Sequence, residues 1–225
     1  MNARLFLLCI VLISGLALPG NVGCGQTAEG GGKEVLLPAP KTTGGMALAE
    51  AIAKRRSVRA FADKELTLEQ ISQLAWAAQG ITEPQRGLRA APSAGATYPL
   101  EVYLFTANGV FRYVPQGHKL VQLRDQDQRS DLAKAALGQS SVSAAPLDFV
   151  ITTVTERTSG KYGERAERYV QLEAGHVAQN VHLQAVALGL GSVPVGAFRD
   201  AGVSDLLKLP AGETPLYIIP VGYPQ

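Results

Sequence analysis

The chain has 225 residues, a formal net charge of +2 at pH 7 and 46% hydrophobic residues. Charges of both signs are interspersed without a basic tract, which argues against a nucleic-acid-binding protein. The two cysteines, Cys9 and Cys24, both lie near the N-terminus, so we expect no disulfide inside the folded domain.

The N-terminal segment has the pattern of a bacterial secretion signal. Arg4 precedes an apolar run from Leu5 to Leu18, which is too short for an ordinary membrane-spanning helix. The tripeptide Val22-Gly23-Cys24 is similar to the end of a lipobox, although Asn21 replaces the usual leucine-like residue. We therefore predict a signal sequence over 1–23 and lipid attachment at Cys24. The alternatives are an uncleaved anchor and a plain secreted protein cut nearby.

Residues 24–45 are rich in glycine, proline and threonine and show no apolar period. This composition predicts a flexible tether, followed by one domain over 46–225. Together with the signal, it predicts an exported protein of the cell envelope, periplasmic or tethered to the membrane through Cys24. A domain that faces the cytoplasm is the alternative.

Helices and strands alternate irregularly along the domain. In chain order the sequence predicts a helix over 46–56, a helix from the capping box at Thr67 to about Gly80, strands over 100–106, 110–114 and 119–123, a helix over 130–137, a strand over 147–155, a helix from 162 or 163 to 188, a helix over 201–207 and a strand over 216–221. This pattern predicts an α+β fold with a mixed central sheet covered by helices. The sequence Gly189-Leu190-Gly191 follows a helix rather than a strand, which excludes a dinucleotide-binding fingerprint.

Three separated segments suit a phosphorylated flavin. The first offers guanidinium groups and a hydroxyl for phosphate, and the other two offer small residues beside prolines, where backbone can approach a flat ring. These are Arg55, Arg56, Ser57 and Arg59; Pro92, Ser93, Ala94 and Gly95; and Pro194, Val195, Gly196 and Ala197. Taken singly, each is better explained by a solvated helix end, an ordinary loop or a strand edge.

Taken together and in this order, the three segments resemble the nitroreductase family of FMN flavoproteins, from Met46 to Pro224. A narrower similarity to the SagB-type branch, which includes dehydrogenases that oxidise azolines to azoles in modified peptides, rests on four motifs. They are "APSAGATYPLEVY" at 91–103, "KYGER" at 161–165, "LEAGHVAQN" at 172–180 and the final "PVGYP". The resemblance implies a nitroreductase-like α+β fold and an intertwined homodimer with two FMN sites at the subunit interface.

The resemblance also implies roles for the three segments. The residues Arg55 to Arg59 would hold the phosphate and ribityl chain, Pro194 to Ala197 would offer backbone to the isoalloxazine ring, and Pro92 to Gly95 would reach the flavin from the partner subunit. Many members continue past the final strand into a basic segment, whereas this chain ends at Gln225. We therefore expect greater dependence on the first segment's arginines or on Arg199.

Lys161 and Tyr162 are the candidate catalytic residues, because a Lys-Tyr pair at this motif is implicated in catalysis in the azoline-oxidising relatives. A mobile loop with both side chains solvated is the alternative. His176 and His182 lie six residues apart in the long helix, a spacing that does not suit a metal site, so we expect structural histidines and no metal.

The predicted function is an FMN-dependent oxidoreductase that transfers hydride between flavin N5 and a small organic substrate, with an unknown electron donor. One alternative is an azoline dehydrogenase of a modified-peptide pathway, and another is a non-catalytic envelope binding protein on the same fold. Reduced nicotinamides are scarce outside the cytoplasm, so export requires a different electron partner.

Overall fold

A seven-stranded sheet runs through the centre of the computed structural model, which describes residues 32–225. The strands are β1 Glu34–Leu36, β2 Ile81–Glu83, β3 Leu88–Arg89, β4 Leu100–Thr106, β5 Gly109–Val114, β6 Lys119–Arg124, β7 Leu147–Val154, β8 Gly191–Ser192 and β9 Glu213–Gly222. The helices are α1 Leu48–Lys54, α2 Leu68–Gln79, α3 Arg129–Ala135, α4 Ser140–Ala144, α5 Glu156–Tyr162, α6 Ala166–Ala187 and α7 Asp200–Leu207. The predicted signal over 1–23 and the predicted lipid site at Cys24 lie outside the described residues.

The strand order is β1-β6-β5-β4-β7-β9-β8, and β2 and β3 form a separate hairpin. The predicted α+β fold with helices over a central sheet is confirmed. The pairing is more uniform than the mixed sheet we expected, since each neighbouring pair of strands in the described part of the chain is antiparallel. A parallel contact occurs as the single-residue bridge between Ser57 and Ser192.

Both faces of the sheet are buried, and β4 shows why. Leu100, Val102 and Leu104 point to a core that includes α2 and α6, whereas Tyr103 and Phe105 point to a core that includes α3 and α7. Successive side chains of a strand face opposite sides, so one strand supplies both cores. The sheet is thereby fixed between two helical layers, which gives the loops at its ends a rigid support.

The tether prediction over 24–45 does not hold for residues 34–37. Glu34–Leu36 forms the edge strand β1 against β6, with Val35 opposite Leu120. Beyond it, Leu37 is buried and its N–H donates to the carbonyl oxygen of His118 at 3.1 Å. Val35 and Leu37 pack on the domain, whereas Leu36 between them is exposed, so the folded unit begins before Met46.

The capping box of α2 is confirmed: Thr67 Oγ1 accepts from the Gln70 N–H, and Gln70 Oε1 accepts from the Thr67 N–H. The predicted long helix begins later than expected, at Ala166, because Gly163 has φ +53° and breaks the chain direction. The residues before it form the separate helix α5. No helix of the described residues is long and apolar enough to cross a membrane.

Candidate functional site

The first predicted segment meets β8, two residues before the third segment, just beyond the end of α1. Ser57 forms its bridge with Ser192 of β8, and the Val58 N–H donates to the Ser192 carbonyl oxygen at 3.0 Å. A Cβ added to Gly191 would lie 2.6–2.8 Å from side-chain atoms of Val58, which is closer than packed carbon atoms approach. Glycine at position 191 therefore permits this contact, which we call the α1–β8 junction (residues 55–59 and 191–197).

The arginines of the junction differ in how they are engaged. Arg56 is exposed and folds back on its own helix, where Nη1 donates to the carbonyl oxygens of Ala53 at 3.0 Å and Arg55 at 2.6 Å. Arg59 is exposed and makes no hydrogen bond or ion pair with any residue of 32–225. Arg55 is half-buried, and its Nη1 lies 3.2 Å from His182 Nε2. Arg55 and Arg59 thus keep cationic charge that no described carboxylate compensates.

The segment from Pro194 to Ala197 is anchored to the sheet at one residue and open beyond it. The Val195 N–H donates to the Ile218 carbonyl oxygen at 2.7 Å, and the Ile218 N–H returns the bond at 3.0 Å. Gly196 and Ala197 are exposed, and their N–H groups have no acceptor within the described residues. These amides can donate to a ligand.

Arg199, the expected substitute for a basic C-terminal segment, lies elsewhere. Its guanidinium donates to the carbonyl oxygen of Lys134, and its N–H donates to that of Ala135 at 2.9 Å. Arg199 therefore fastens α7 to α3, and its contribution to the junction stays a prediction.

The second predicted segment is a strained loop. Gly95, Ala96 and Tyr98 have φ values of +59°, +55° and +46°. These values lie in the left-handed region, which is unfavourable for residues that carry a Cβ atom, such as Ala96 and Tyr98. The conformation is held from two sides: the Tyr98 N–H donates to Ser93 Oγ at 2.9 Å, and its carbonyl oxygen accepts from Arg157 Nη1 at 3.1 Å. Strain of about 1–3 kcal/mol at such positions persists only where surrounding contacts impose it, and it is commonly found at ligand sites.

Lys161 and Tyr162 lie against this loop. A Cβ placed on Gly95 would be 2.6 Å from Lys161 Nζ and 2.6 Å from Tyr162 Oη, so both polar atoms reach the backbone of Gly95. The Tyr162 ring also meets the Tyr169 ring edge-on, with centroids 5.0 Å apart. Both residues end the helix α5 rather than lying in a loop, with Lys161 exposed and Tyr162 half-buried. We call this cluster the 93–98 loop with its Lys-Tyr pair.

The candidate residues fall into two groups. The junction contains Arg55, Ser57, Arg59 and the open amides, whereas the 93–98 loop gathers Lys161 and Tyr162. No hydrogen bond, ion pair or ring contact among residues 32–225 joins the two groups. We refer to these two groups as the two candidate partial sites.

His182 is a site residue that the sequence analysis did not identify. It is 3% exposed, and burial together with the nearby Arg55 guanidinium lowers its pKa to about 4. His176, for which a structural role was also expected, is exposed instead. His182 and Arg55 are 127 positions apart in the sequence, and no local sequence pattern predicts a contact between residues that far apart.

Glu173 is a second unexpected neighbour. This α6 carboxyl is 2% exposed beside Ser93, and burial raises its pKa although hydrogen bonding from Ser93 opposes the change. A groove of about 280 Å³ opens at this place between the segment Pro92 to Ala94 and α6. The helical motif "LEAGHVAQN" thus supports the second segment from below.

The fold and sequence match a known family. The model of the Nitroreductase family matches residues 52–223. MJ1384, a candidate nitroreductase of Methanocaldococcus jannaschii, is 45% identical over 181 residues, which are 78% of this chain and 90% of that protein. The crystal structure of a candidate nitroreductase from Ralstonia eutropha JMP134 superposes with a TM-score of 0.79 at 32% identity, covering 85% of this chain and 90% of the other.

More distant relatives divide between two activities. The FMN reductase (NADPH) of Bacillus subtilis is 25% identical over 78% of this chain and 65% of its own. The microcin B17-processing protein McbC of Escherichia coli is 27% identical over 66% of this chain and 59% of its own, in line with the SagB-type resemblance. Given the family model, the identity to MJ1384 and the shared fold, the chain belongs to the nitroreductase family of flavin-dependent oxidoreductases.

Proposed function

We propose that the protein binds FMN at the α1–β8 junction and transfers hydride between flavin N5 and a small organic substrate. The observation that carries this proposal is the meeting of Ser57 with Ser192, which gathers uncompensated arginines and open amides within a few residues of one backbone contact. Arginine binds phosphate through planar, charge-assisted hydrogen bonds. Amide N–H groups next to small residues suit the edge of a flat ring.

The residues present fit this cofactor. Arg59 has a guanidinium without a partner among the described residues, and Arg55 is pre-oriented by His182. Gly196 and Ala197 offer exposed N–H groups with no bulky side chain to keep a ring away. When bound, FMN supplies a centre that accepts and donates hydride. The chain's own part is to hold the phosphate and ring, and to manage protons.

The proton-transfer groups in this proposal are Lys161 Nζ and Tyr162 Oη. Both atoms lie close to the backbone of Gly95. Gly95 belongs to the 93–98 loop, whose strained geometry is held by Arg157 and Ser93. Either atom can hold or release a proton at a substrate seated beside the loop. Replacing Lys161 by Met or Tyr162 by Phe should lower turnover by about 10²–10⁴-fold while flavin content stays constant. Full turnover in both variants would remove the pair from the mechanism.

We further propose that the two partial sites are completed across a homodimer, with the 93–98 loop of one protomer facing the junction of its partner. Support comes from α1, where Leu48 and Ile52 are 67% and 54% exposed beside a groove of about 380 Å³. Apolar side chains on this scale favour a covered surface. In sedimentation analysis, Ile52→Glu should shift dimer toward monomer and reduce flavin content. A wild-type monomer that retains flavin would refute this arrangement.

The direct test of the cofactor is the visible absorption spectrum of the purified protein, before and after heat release. Flavin bands that pass to the supernatant and behave as FMN rather than riboflavin support the proposal. A colourless protein that takes up no added FMN would leave the non-catalytic binding protein as the better account.

A second candidate function, azoline oxidation, is favoured by the relation to McbC and by the Lys-Tyr pair at the 93–98 loop. The discriminating assay offers the flavin-loaded protein a thiazoline-containing peptide and, separately, a nitroaromatic compound with a reduced nicotinamide. Conversion of the peptide to the thiazole, without nitro reduction, would establish the second function in place of the first.

We also propose that the protein acts in the cell envelope with lipid on Cys24. Because the folded unit includes β1, a reporter phosphatase that works only outside the cytoplasm should be fused after residue 31 rather than inside the domain. An active fusion, with lipid labelling that Cys24→Ser abolishes, supports export and anchoring. A stable but inactive fusion places the domain in the cytoplasm.

A further inference from the structure

A buried histidine joins the α1–β8 junction to the long helix α6. His182 Nε2 lies 3.2 Å from Arg55 Nη1, and His182 Nδ1 lies 2.5 Å from Ser192 Oγ. Arginine only donates, so Nε2 must accept and the ring proton must reside on Nδ1, from which it is donated to Ser192 Oγ. The contacts therefore select one neutral tautomer of His182.

The neutral state of His182 matters because Arg55 has no carboxylate partner among residues 32–225. No carboxylate of residues 32–225 forms an ion pair with Arg55, and its one side-chain partner is the uncharged imidazole. A carboxylate in the place of His182 would hold the guanidinium equally well but would cancel its charge. A neutral acceptor fixes the direction of the guanidinium and leaves its full charge for an anionic ligand.

The same histidine is tied to the backbone contact that forms the junction. Ser192, whose hydroxyl accepts from His182, also accepts the Val58 N–H through its carbonyl oxygen at 3.0 Å. Arg55 is the charged group that faces the imidazole, and burial is the other influence on it. His182 thus links α6, β8 and the end of α1 through two side-chain contacts.

We propose that His182 is a positioning residue that presents Arg55, uncompensated, to the phosphate of the flavin and so sets the preference for phosphorylated over unphosphorylated flavin. This inference rests on the proposed function. It predicts an effect on FMN binding that riboflavin, which lacks the phosphate, does not share. A residue that only stabilised the fold would change the affinity for both flavins alike.

The test measures dissociation constants for FMN and riboflavin on the full chain stripped of ligand, for the wild type and three variants on α6. His182→Leu should lower the preference for FMN by about tenfold, the loss expected when one charge-assisted contact is misdirected. His182→Gln should recover much of the preference, because its amide oxygen can accept from Arg55. Gln171→Leu, an exposed change on the same helix, should leave the preference unaltered.

Two results separate this inference from the proposed function. If Arg55→Ala loses the preference for FMN and His182→Leu keeps it, the positioning role is overturned while the cofactor assignment stands. If the wild type binds neither flavin, both fall together. Should His182→Leu fail to fold, Ser192→Ala is the substitute. It removes the acceptor of the Nδ1 proton and so loosens the ring, while Arg55 still requires Nε2 to accept; nitrogen NMR should therefore show the Nδ1-protonated tautomer retained, with a weaker FMN preference. An unchanged FMN preference, or an Nε2-protonated ring in the wild type, would overturn the inference.

Discussion

The neutral state of His182 predicts a loss of stability in mild acid. Its pKa is about 4 in the folded protein, below the ordinary value of 6.5, so between these values the unfolded chain binds more protons than the folded one. The free energy of unfolding must therefore fall as pH drops from about 6.5 to about 4. The stabilisation is complete above this range and is fully lost below it.

The loss in the free energy of unfolding can be calculated from the difference between the folded and unfolded pKa values of His182. One pKa unit corresponds to about 1.4 kcal/mol, so a displacement from 6.5 to about 4 gives at most about 3 kcal/mol. Residual solvation of the imidazole reduces this, and we expect about 2 kcal/mol. For a domain whose net stability is typically about 5–15 kcal/mol, such a change is readily measured by urea unfolding.

The assay compares the wild type with His182→Leu at several pH values. Burial raises the pKa of Asp148 and Glu173, which gives these carboxyls the opposite pH dependence, but both are present in both proteins and cancel in the difference. The wild type should lose about 2 kcal/mol more than the variant between about pH 7 and pH 4. Equal losses in the two proteins would show that the imidazole is already charged or solvated, which would refute the hydrogen-bond assignment.

Four further changes test other parts of the structure. Gly191→Ala should destabilise the protein by about 1–3 kcal/mol and weaken FMN binding, since the added Cβ has no room at the junction. Gly160→Ala, in a helix where the added Cβ would have no atom within 4 Å, should instead raise the melting temperature. Arg59→Ala should weaken FMN binding by about 1–3 kcal/mol without changing riboflavin binding, and unaltered FMN titrations would remove it from the phosphate site. Tyr103→Phe deprives the buried Glu213 of a 2.8 Å hydrogen bond and should cost about 1–3 kcal/mol in urea unfolding; a neutral result would mean that Thr152, which donates to the same carboxyl oxygen, is a sufficient partner.

Elements with strong local signals were predictable from the sequence. The strand over 100–106 has the predicted bounds, and the capping box that begins α2 forms as expected. By contrast α5, "ERTSGKY", has no apolar period and contains glycine, serine and threonine, so propensity does not favour it. It forms because tertiary contacts hold it, including the hydrogen bond between Thr97 Oγ1 and Thr158 Oγ1 at 2.8 Å.

The site was predictable only in its parts. Local composition identified the arginines of the first segment and the small residues of the other two, because those features suit phosphate and a flat ring wherever they occur. The pairing of Ser57 with Ser192, and the contact of His182 with Arg55, depend on how α1, α6 and β8 pack together. Three-residue β1 was missed for a similar reason, since its strand character depends on β6 beside it.

The proposed completion of the two candidate partial sites across a dimer would make cofactor occupancy depend on protein concentration. If the junction of one protomer needs the 93–98 loop of another, FMN binds the assembled pair more tightly than the isolated chain. Mass action then makes the relation reciprocal, so that FMN strengthens subunit association and dilution of the protein releases FMN. A cell that produces little of this protein would hold much of it as apoprotein even when FMN is plentiful.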